Sequence, residues 1–206
     1  TFLELSCPVE ASDEADLLRF ADSMHEMSGA NYFKSPFTVS PDEADLLRRV
    51  TDHVADFTES AFGRRLRPWT APISAIEMFR VVTALARLQG KRKIRVLEIG
   101  PGSGYLGALL LMAGHQVMAM DNTQAFYLWQ NRLWGSLAGE NGLLELADPA
   151  LPLAADPAKS VIHLPWWRFA QLHEGNPFAV DFVICDHALN EISTLALRYI
   201  LQQCLP

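Results

Sequence analysis

The hydrophobic positions of residues 1–73 recur with the spacing of amphipathic helices. Ser40 and Glu43 form a capping box, and the apolar residues after them fall on one helical face: Leu46, Leu47, Val50, Val54 and Phe57. A further helix is predicted between the capping residue Ser74 and Gly90 by a second stripe: Met78, Val81, Val82, Leu85 and Leu88. We therefore expect residues 1–73 to form a helical N-terminal region.

Beyond Gly90, short apolar runs alternate with amphipathic helical patterns. The runs predict four strands: Ile94 to Ile99, Gln116 to Met120, Val161 to Leu164 and Phe182 to Cys185. The intervening patterns predict four helices: Tyr105 to Ala113, Thr123 to Leu137, Trp167 to Leu172 and Leu189 to Leu201. Strands that alternate with helices imply an α/β fold with a mostly parallel sheet. Residues 139–160 contain three prolines and no clear period, so we expect an insertion or long loop there.

Composition narrows the class of protein. The 206 residues are 50% hydrophobic and 20% charged, which is typical of a folded globular chain, and the formal net charge is −7. This acidic balance argues against nucleic acid as the partner. The longest apolar run, Leu106 to Gly114, is too short to cross a bilayer, and no signal peptide is visible. The three cysteines are far apart and lack CxxC spacing, so they suggest neither a disulfide framework nor a zinc site, and we expect a cytoplasmic protein. From the charge and the apolar runs we expect neither nucleic acid nor a membrane as partner.

The strongest chemical signal is a glycine-rich turn between a predicted strand and a predicted helix. The segment Val96–Gly104 reads VLEIGPGSG. Glycines let the backbone turn sharply and approach a ligand, and the helix N-terminus behind them presents free amides. The GxGxxG spacing from Gly102 to Gly107 matches the dinucleotide fingerprint, with Asp121 about twenty residues further on. However, a carboxylate at Glu98 is unfavourable beside a pyrophosphate and suits a ligand that carries a positive charge and no phosphate.

The same segment resembles the first motif of class I S-adenosylmethionine-dependent methyltransferases, in which an acidic residue precedes alternating glycines. The resemblance implies a Rossmann-like sheet, S-adenosylmethionine as cofactor, and a turn that holds its methionine end together with Glu98. The turn glycines implied in this contact are Gly100, Gly102 and Gly104. Asp121 ends the second strand, where the family places an acid that binds both ribose hydroxyls; the alternative is that Asp121 caps the next helix. Trp166 is the candidate to stack on the adenine, and packing in the core is the alternative for this side chain.

The predicted fourth strand is followed by Asp186-His187, and Asn190 and Glu191 come one helical turn later. This pattern resembles sugar O-methyltransferases, and the Asn-Pro-Pro-aromatic motif of enzymes that methylate exocyclic amines is absent. A hydroxyl acceptor must lose its proton on methylation, so His187 is the candidate general base. Glu191 could lie on the same helical face and orient His187, while Asp186 could position substrate or cofactor. One alternative is that His187 caps a helix or packs in the core. Another is that Asp186, His187 and Glu191 hold a divalent metal.

These patterns predict an enzyme that transfers a methyl group from S-adenosylmethionine to a small molecule, such as a sugar or another hydroxylated metabolite. Two other functions remain open. The first is an NAD(P)-dependent oxidoreductase that uses the same glycine-rich turn. The second is a non-catalytic module with a methyltransferase-like fold that binds a partner.

The resemblance covers residues 74–206, which we expect to form the cofactor-binding core. They supply four strands, whereas the family's sheet has seven. Residues 182–185 would then lie at an exposed, apolar sheet edge, which proteins normally avoid. We therefore expect a fragment, the N-terminal part of a longer enzyme, with a missing C-terminal part or a second chain covering this edge. Such a fragment is expected to bind the cofactor weakly.

Overall fold

In the described part of the chain three helices precede the sheet, and capping residues mark both ends of the second. The computed structural model describes residues 10–26, 38–68, 71–172, 178–185, 188 and 193–204. The helices are α1 (Glu14–Glu26), α2 (Pro41–Phe62) and α3 (Ala71–Leu88). The predicted capping box of α2 is confirmed, since the Ser40 hydroxyl accepts from the Glu43 amide and the Glu43 carboxylate accepts from the Ser40 amide. Among the helices of the described ranges, none is long and apolar enough to span a bilayer.

The central element of the described chain is a sheet of five parallel strands. The strands are β1 (Arg95–Ile99), β2 (Gln116–Asp121), β3 (Leu143–Glu145), β4 (Val161–Pro165) and β5 (Phe182–Ile184). Their order across the sheet is β3-β4-β2-β1-β5, and every pairing is parallel. Helices follow β1, β2, β4 and β5: α4 (Tyr105–Met112), α5 (Gln124–Ala138), α6 (Trp166–Phe169) and α7 (Thr194–Cys204). The prediction of an α/β fold with a mostly parallel sheet is confirmed.

Strand β3 lies where we predicted an insertion or long loop. It pairs with β4, with Leu143 opposite Val161 and Glu145 opposite His163. It has only three residues, all half-buried, so it shows neither the apolar run nor the alternation that indicates a strand in a sequence. The prediction for residues 139–160 was therefore wrong at this strand, which forms the outer edge beside β4.

Successive side chains of the strands point to opposite faces of the sheet and build two hydrophobic clusters. On one face, Val96 of β1 packs in a cluster with residues of helices α1 to α5. On the other face, the neighbouring Leu97 packs with Phe169 of α6 and Ile200 of α7. Because α1 contributes Phe20 to the first cluster, the N-terminal helices share a core with the sheet.

Strand β5 forms the opposite edge of the sheet. Among the described residues it pairs only with β1, from Val96 opposite Phe182 to Glu98 opposite Ile184. Val183 in its centre is 38% exposed. The cover that we expect over this edge, from a missing C-terminal part or from a second chain, stays a prediction.

Candidate functional site

The carboxyl ends of β1 and β2 lie side by side and bring the glycine-rich turn next to Asp121. The two strands pair in register up to Ile99 and Met120. The amide of Gly100 extends this ladder by donating to the Met120 carbonyl at 2.8 Å. Later strands lie on both sides of β1. Its carboxyl end is therefore the switch point at which ligands of open parallel sheets bind.

The glycines of the turn adopt backbone conformations that other residues rarely take. Gly100, Gly102 and Gly104 have φ values of 68°, 55° and 74°. A Cβ on Gly100 would lie 2.7 Å from the Cβ of Ala188, so Ala188 packs directly on the turn. A Cβ on Gly104 would lie 3.2 Å from the Trp134 ring. Glycine is thus required by backbone conformation at all three positions, and by space at Gly100 in addition.

Glu98 brings a carboxyl group to the edge of the turn. It lies one residue before the end of β1 and is paired on both sides, with Ala119 of β2 and Ile184 of β5. Its exposed fraction is only 6%. An acidic side chain is rarely buried without a polar or cationic partner, because removing its charge from water is costly.

Asp121 contacts both the turn and the start of α5. Its Oδ2 accepts from the Gly102 amide at 3.3 Å and from the Gln130 side-chain amide at 2.8 Å, and its Oδ1 accepts from the Thr123 amide at 3.0 Å. Burial raises the pKa of Asp121, and these hydrogen bonds partly oppose the rise. The N-cap of α5 is Thr123, so the alternative that Asp121 caps this helix is wrong; the Thr123 contact is a local turn just before α5. The Gly102 contact adds a link from β2 to the turn that follows β1.

A cavity of about 230 Å³ opens beside Asp121, at the carboxyl ends of β2 and β4. Trp166 and Trp167 form one wall, and Glu10 and Tyr127 lie on others. The two indole rings are nearly perpendicular, with centroids 6.2 Å apart, and both side chains are about half exposed. Trp166 therefore lies at the surface rather than in the core, and it shares a cavity with Asp121.

Gln130 of α5 is a site residue that the sequence patterns did not reveal. It is fully buried, and its side-chain amide donates to the Gly102 carbonyl at 2.7 Å as well as to Asp121. The signal that could have identified it is a polar residue at a buried helix position, between Trp129 and Leu133. Buried amides of this kind are nearly always hydrogen-bonded to something specific.

Two tryptophans of α5 also contact the backbone of the turn. The indole N–H of Trp129 donates to the Ser103 carbonyl at 3.0 Å, and that of Trp134 donates to the Gly104 carbonyl at 2.9 Å. In the sequence pattern both tryptophans indicate only the apolar face of an amphipathic helix. Their role at the turn depends on tertiary packing.

Helix α1 reaches the same region through His25. The His25 Nδ1 donates to the Ala21 carbonyl at 2.5 Å, so its Nε2 accepts from the hydroxyl of Tyr105, the first residue of α4. His25 is 6% exposed, and burial lowers its pKa. The N-terminal region thus contacts the helix that begins at the turn.

The residues predicted to be catalytic, Asp186, His187 and Glu191, lie outside the described residues, and their roles stay predictions. Their chain neighbour Ala188 is described and packs on Gly100. Within the described ranges, no group of three or more His, Cys, Asp or Glu side chains could hold a metal ion. This statement does not cover Asp186, His187 and Glu191, which the hypothesis of a divalent metal requires.

Comparison of the chain with protein-family models, with curated proteins and with solved structures finds no match. The residues and geometry of the chain itself are therefore the basis for inferring its function.

Proposed function

We propose that this chain binds S-adenosylmethionine at the turn after β1 and transfers its methyl group to a hydroxyl of a small molecule, such as a sugar. The observation that carries the proposal is that Glu98, the glycine-rich turn and Asp121 come together at the carboxyl ends of the neighbouring parallel strands β1 and β2. A cavity that is lined by two tryptophans adjoins Asp121. The strand order β4-β2-β1-β5 agrees with the doubly wound, Rossmann-like sheet that such an enzyme needs.

Charge favours S-adenosylmethionine over a ligand with a pyrophosphate. The carboxyl groups of Glu98 and Asp121 flank the turn, and both are at most 6% exposed. A nearby carboxylate stabilises an ammonium group, such as that of the methionine moiety, and repels a phosphate. Burial strengthens both effects because the local dielectric constant is low. The residues present thus fit a ligand with a cationic end and no phosphate.

The cavity fits the adenosine moiety of the same cofactor. Its volume of about 230 Å³ is below that of sites for whole drug-sized ligands, roughly 300–1,000 Å³. Trp166 and Trp167 offer exposed aromatic faces on which a purine can stack. Asp121 lines the same cavity, and a carboxylate is a strong acceptor for ribose hydroxyls.

Bound S-adenosylmethionine supplies an electrophilic methyl group on its sulfonium, and the task of the chain is to align the acceptor and exclude water. We assign His187 to take the proton of the acceptor hydroxyl on an imidazole nitrogen, Glu191 to orient His187, and Asp186 to position substrate or cofactor. Their place in the chain supports these roles. They follow β5 in the chain. Since β5 runs parallel to β1, its carboxyl end points to the same side of the sheet as the turn after β1.

A dinucleotide such as NAD(P) is the second candidate, and one contact favours it. A Cβ on Gly107 would lie 2.7 Å from the Trp134 ring, so α4 and α5 approach closely at this glycine. In the dinucleotide fingerprint the third glycine also permits close packing of the helix, there against a strand. The buried carboxyl group of Glu98 opposes this candidate, because it would lie beside the pyrophosphate.

Isothermal titration calorimetry with S-adenosylhomocysteine, NAD and NADP separates the candidates. We expect binding of S-adenosylhomocysteine alone. Glu98→Gln removes the charge at nearly constant shape and is expected to weaken this binding by about tenfold or more, since a hydrogen bond to a charged group contributes about 1.5–3 kcal/mol. Glu59→Gln, at an exposed position of α2, is the matched control and should bind like the wild type.

Two results would change the proposal. Tight binding of NAD or NADP without S-adenosylhomocysteine would establish the dinucleotide candidate, and binding of none of the three would favour a non-catalytic partner-binding module. With the acceptor identified, His187→Ala should lower turnover far more than cofactor affinity. An equal loss of both would remove His187 from the role of general base.

A further inference from the structure

We propose that helix α5 determines the conformation of the glycine-rich turn, and that three of its side chains are positioning residues for the cofactor. This inference rests on the proposed cofactor site. Trp129, Gln130 and Trp134 each donate a hydrogen bond to a backbone carbonyl of the turn, over 2.7 to 3.0 Å. The three acceptors are consecutive in the chain: Gly102, Ser103 and Gly104.

Holding consecutive carbonyls on one side directs the amides to the other side. In a trans peptide unit, the C=O group and the following N–H group point in opposite directions. The amides of Ser103, Gly104 and Tyr105 therefore point away from α5. That of Gly104 closes the turn on the Pro101 carbonyl at 3.0 Å, and that of Tyr105, the first residue of α4, belongs to the positive N-terminal end of this helix. Helix α5 thus determines which backbone N–H groups of the turn are available to a ligand.

The three donors are buried. Trp129, Gln130 and Trp134 have exposed fractions of 0%, so water cannot replace a lost contact without rearrangement of the core. The glycines Gly104 and Gly107 let the Trp134 ring approach, since a Cβ on them would lie 3.2 Å and 2.7 Å from it. The position of this indole is therefore set by close packing as well as by its hydrogen bond.

Gln130 connects the two parts of the proposed cofactor site. Its Nε2 donates both to the Gly102 carbonyl and to the Oδ2 of Asp121, so both hydrogens of the amide group are used. The same Oδ2 accepts from the Gly102 amide. One side chain thereby sets the distance between the turn, which we assign to the methionine end, and the carboxyl group that we assign to the ribose.

The test removes the donors while keeping the packing. Trp134→Phe and Gln130→Met delete an N–H donor and fill most of the same volume, and Trp129→Phe is a third variant in case one of them does not fold. Thr58→Val is the matched control, because the buried Thr58 hydroxyl also bonds backbone groups, donating to Val54 at 2.8 Å and accepting from Leu66 at 2.9 Å. These contacts lie in α2 and the residues after it.

Three measurements are made on each variant: thermal unfolding, the affinity for S-adenosylhomocysteine, and amide hydrogen exchange at residues 102–104 without ligand. We expect exchange at the turn to accelerate in each donor variant. Affinity should fall by about fivefold in the tryptophan variants, the effect of one neutral hydrogen bond, and by more in Gln130→Met, which loses two hydrogen bonds. Thr58→Val should lower the melting temperature to a similar extent and change neither the exchange at the turn nor the affinity.

Wild-type exchange and affinity in folded donor variants would overturn the proposal. Equal changes in Thr58→Val would overturn it as well, because they would show a general loss of stability. If the wild type does not bind S-adenosylhomocysteine, the proposed function fails, and the exchange rates at residues 102–104 alone decide whether α5 determines the turn.

Discussion

We expect His163 to make the protein markedly less stable in mild acid. This residue lies in β4, has an exposed fraction of 0%, and stacks on Tyr127 with ring centroids 4.2 Å apart. Its Nδ1 donates to the Asn131 side-chain oxygen at 2.8 Å, and no described group bonds its Nε2. Burial lowers the pKa of His163 to about 3, because a charged imidazole would have no solvation there.

The size of the effect follows from the difference between the folded and unfolded chains. In the unfolded chain the pKa of His163 is about 6.5, so acid protonates the unfolded state first. The stabilisation is complete above pH 6.5 and is lost as the pH falls from 6.5 towards 3. One unit of pKa corresponds to about 1.4 kcal/mol, which gives a loss of about 2.5 kcal/mol between pH 7 and pH 4.5.

Urea unfolding of the wild type and of His163→Phe at pH 7 and pH 4.5 measures this loss. Phenylalanine keeps an aromatic ring against Tyr127 and cannot take up a proton, so we expect the wild type to lose about 2.5 kcal/mol more than the variant. Other titrating groups act equally in both proteins and cancel in the comparison. His163→Gln, which retains a polar group near Asn131, is a second non-titrating control. Equal losses in the wild type and both variants would refute the reasoning.

Gly107→Ala should lower the free energy of unfolding by about 1–3 kcal/mol, because the new Cβ would lie 2.7 Å from the buried Trp134 ring. Gly135 lies in a helix, and a Cβ there would lie 3.5 Å from the Leu143 side chain, so Gly135→Ala should raise the free energy of unfolding by about 0.5–1 kcal/mol. Equal effects of the two substitutions in urea unfolding would contradict the close packing of Gly107 against Trp134. Ser40→Ala removes half of the α2 capping box and should cost about 1 kcal/mol in the same assay, whereas Ser40→Asp, which also caps, should cost little.

The parts of the fold that the sequence predicted are those with local signals. The capping box at Ser40 predicted the start of α2, and four apolar runs predicted β1, β2, β4 and β5. Strand β3 has no such signal, because it is held by pairing with β4 and by the Tyr127 hydroxyl, which donates to Glu145. Contacts made with neighbouring elements leave no periodic pattern in a three-residue strand.

The same division applies to the candidate site. The glycines of the turn and the acids Glu98 and Asp121 were identifiable because backbone conformation and charge restrict which residue types suit those positions. The donors of α5 were not, since an indole such as that of Trp134 looks like any other apolar position in a helix. Its contact with the Gly104 carbonyl depends on how α5 packs on α4, which no short segment encodes.

The hydrogen bonds that shape the glycine-rich turn have a consequence for the order of folding. Asp121, Trp129, Gln130 and Trp134 all lie 19 to 30 residues after the turn residues they bond. By contrast, His25 and Tyr105 are 80 residues apart, and Arg95 and Asp181 are 86 residues apart. Loops that close over short separations form fastest, because less chain entropy is lost. The segment from β1 to α5 contains all of these short-range contacts, so we expect the turn to form early, before α1 packs on α4 and before β5 pairs with β1.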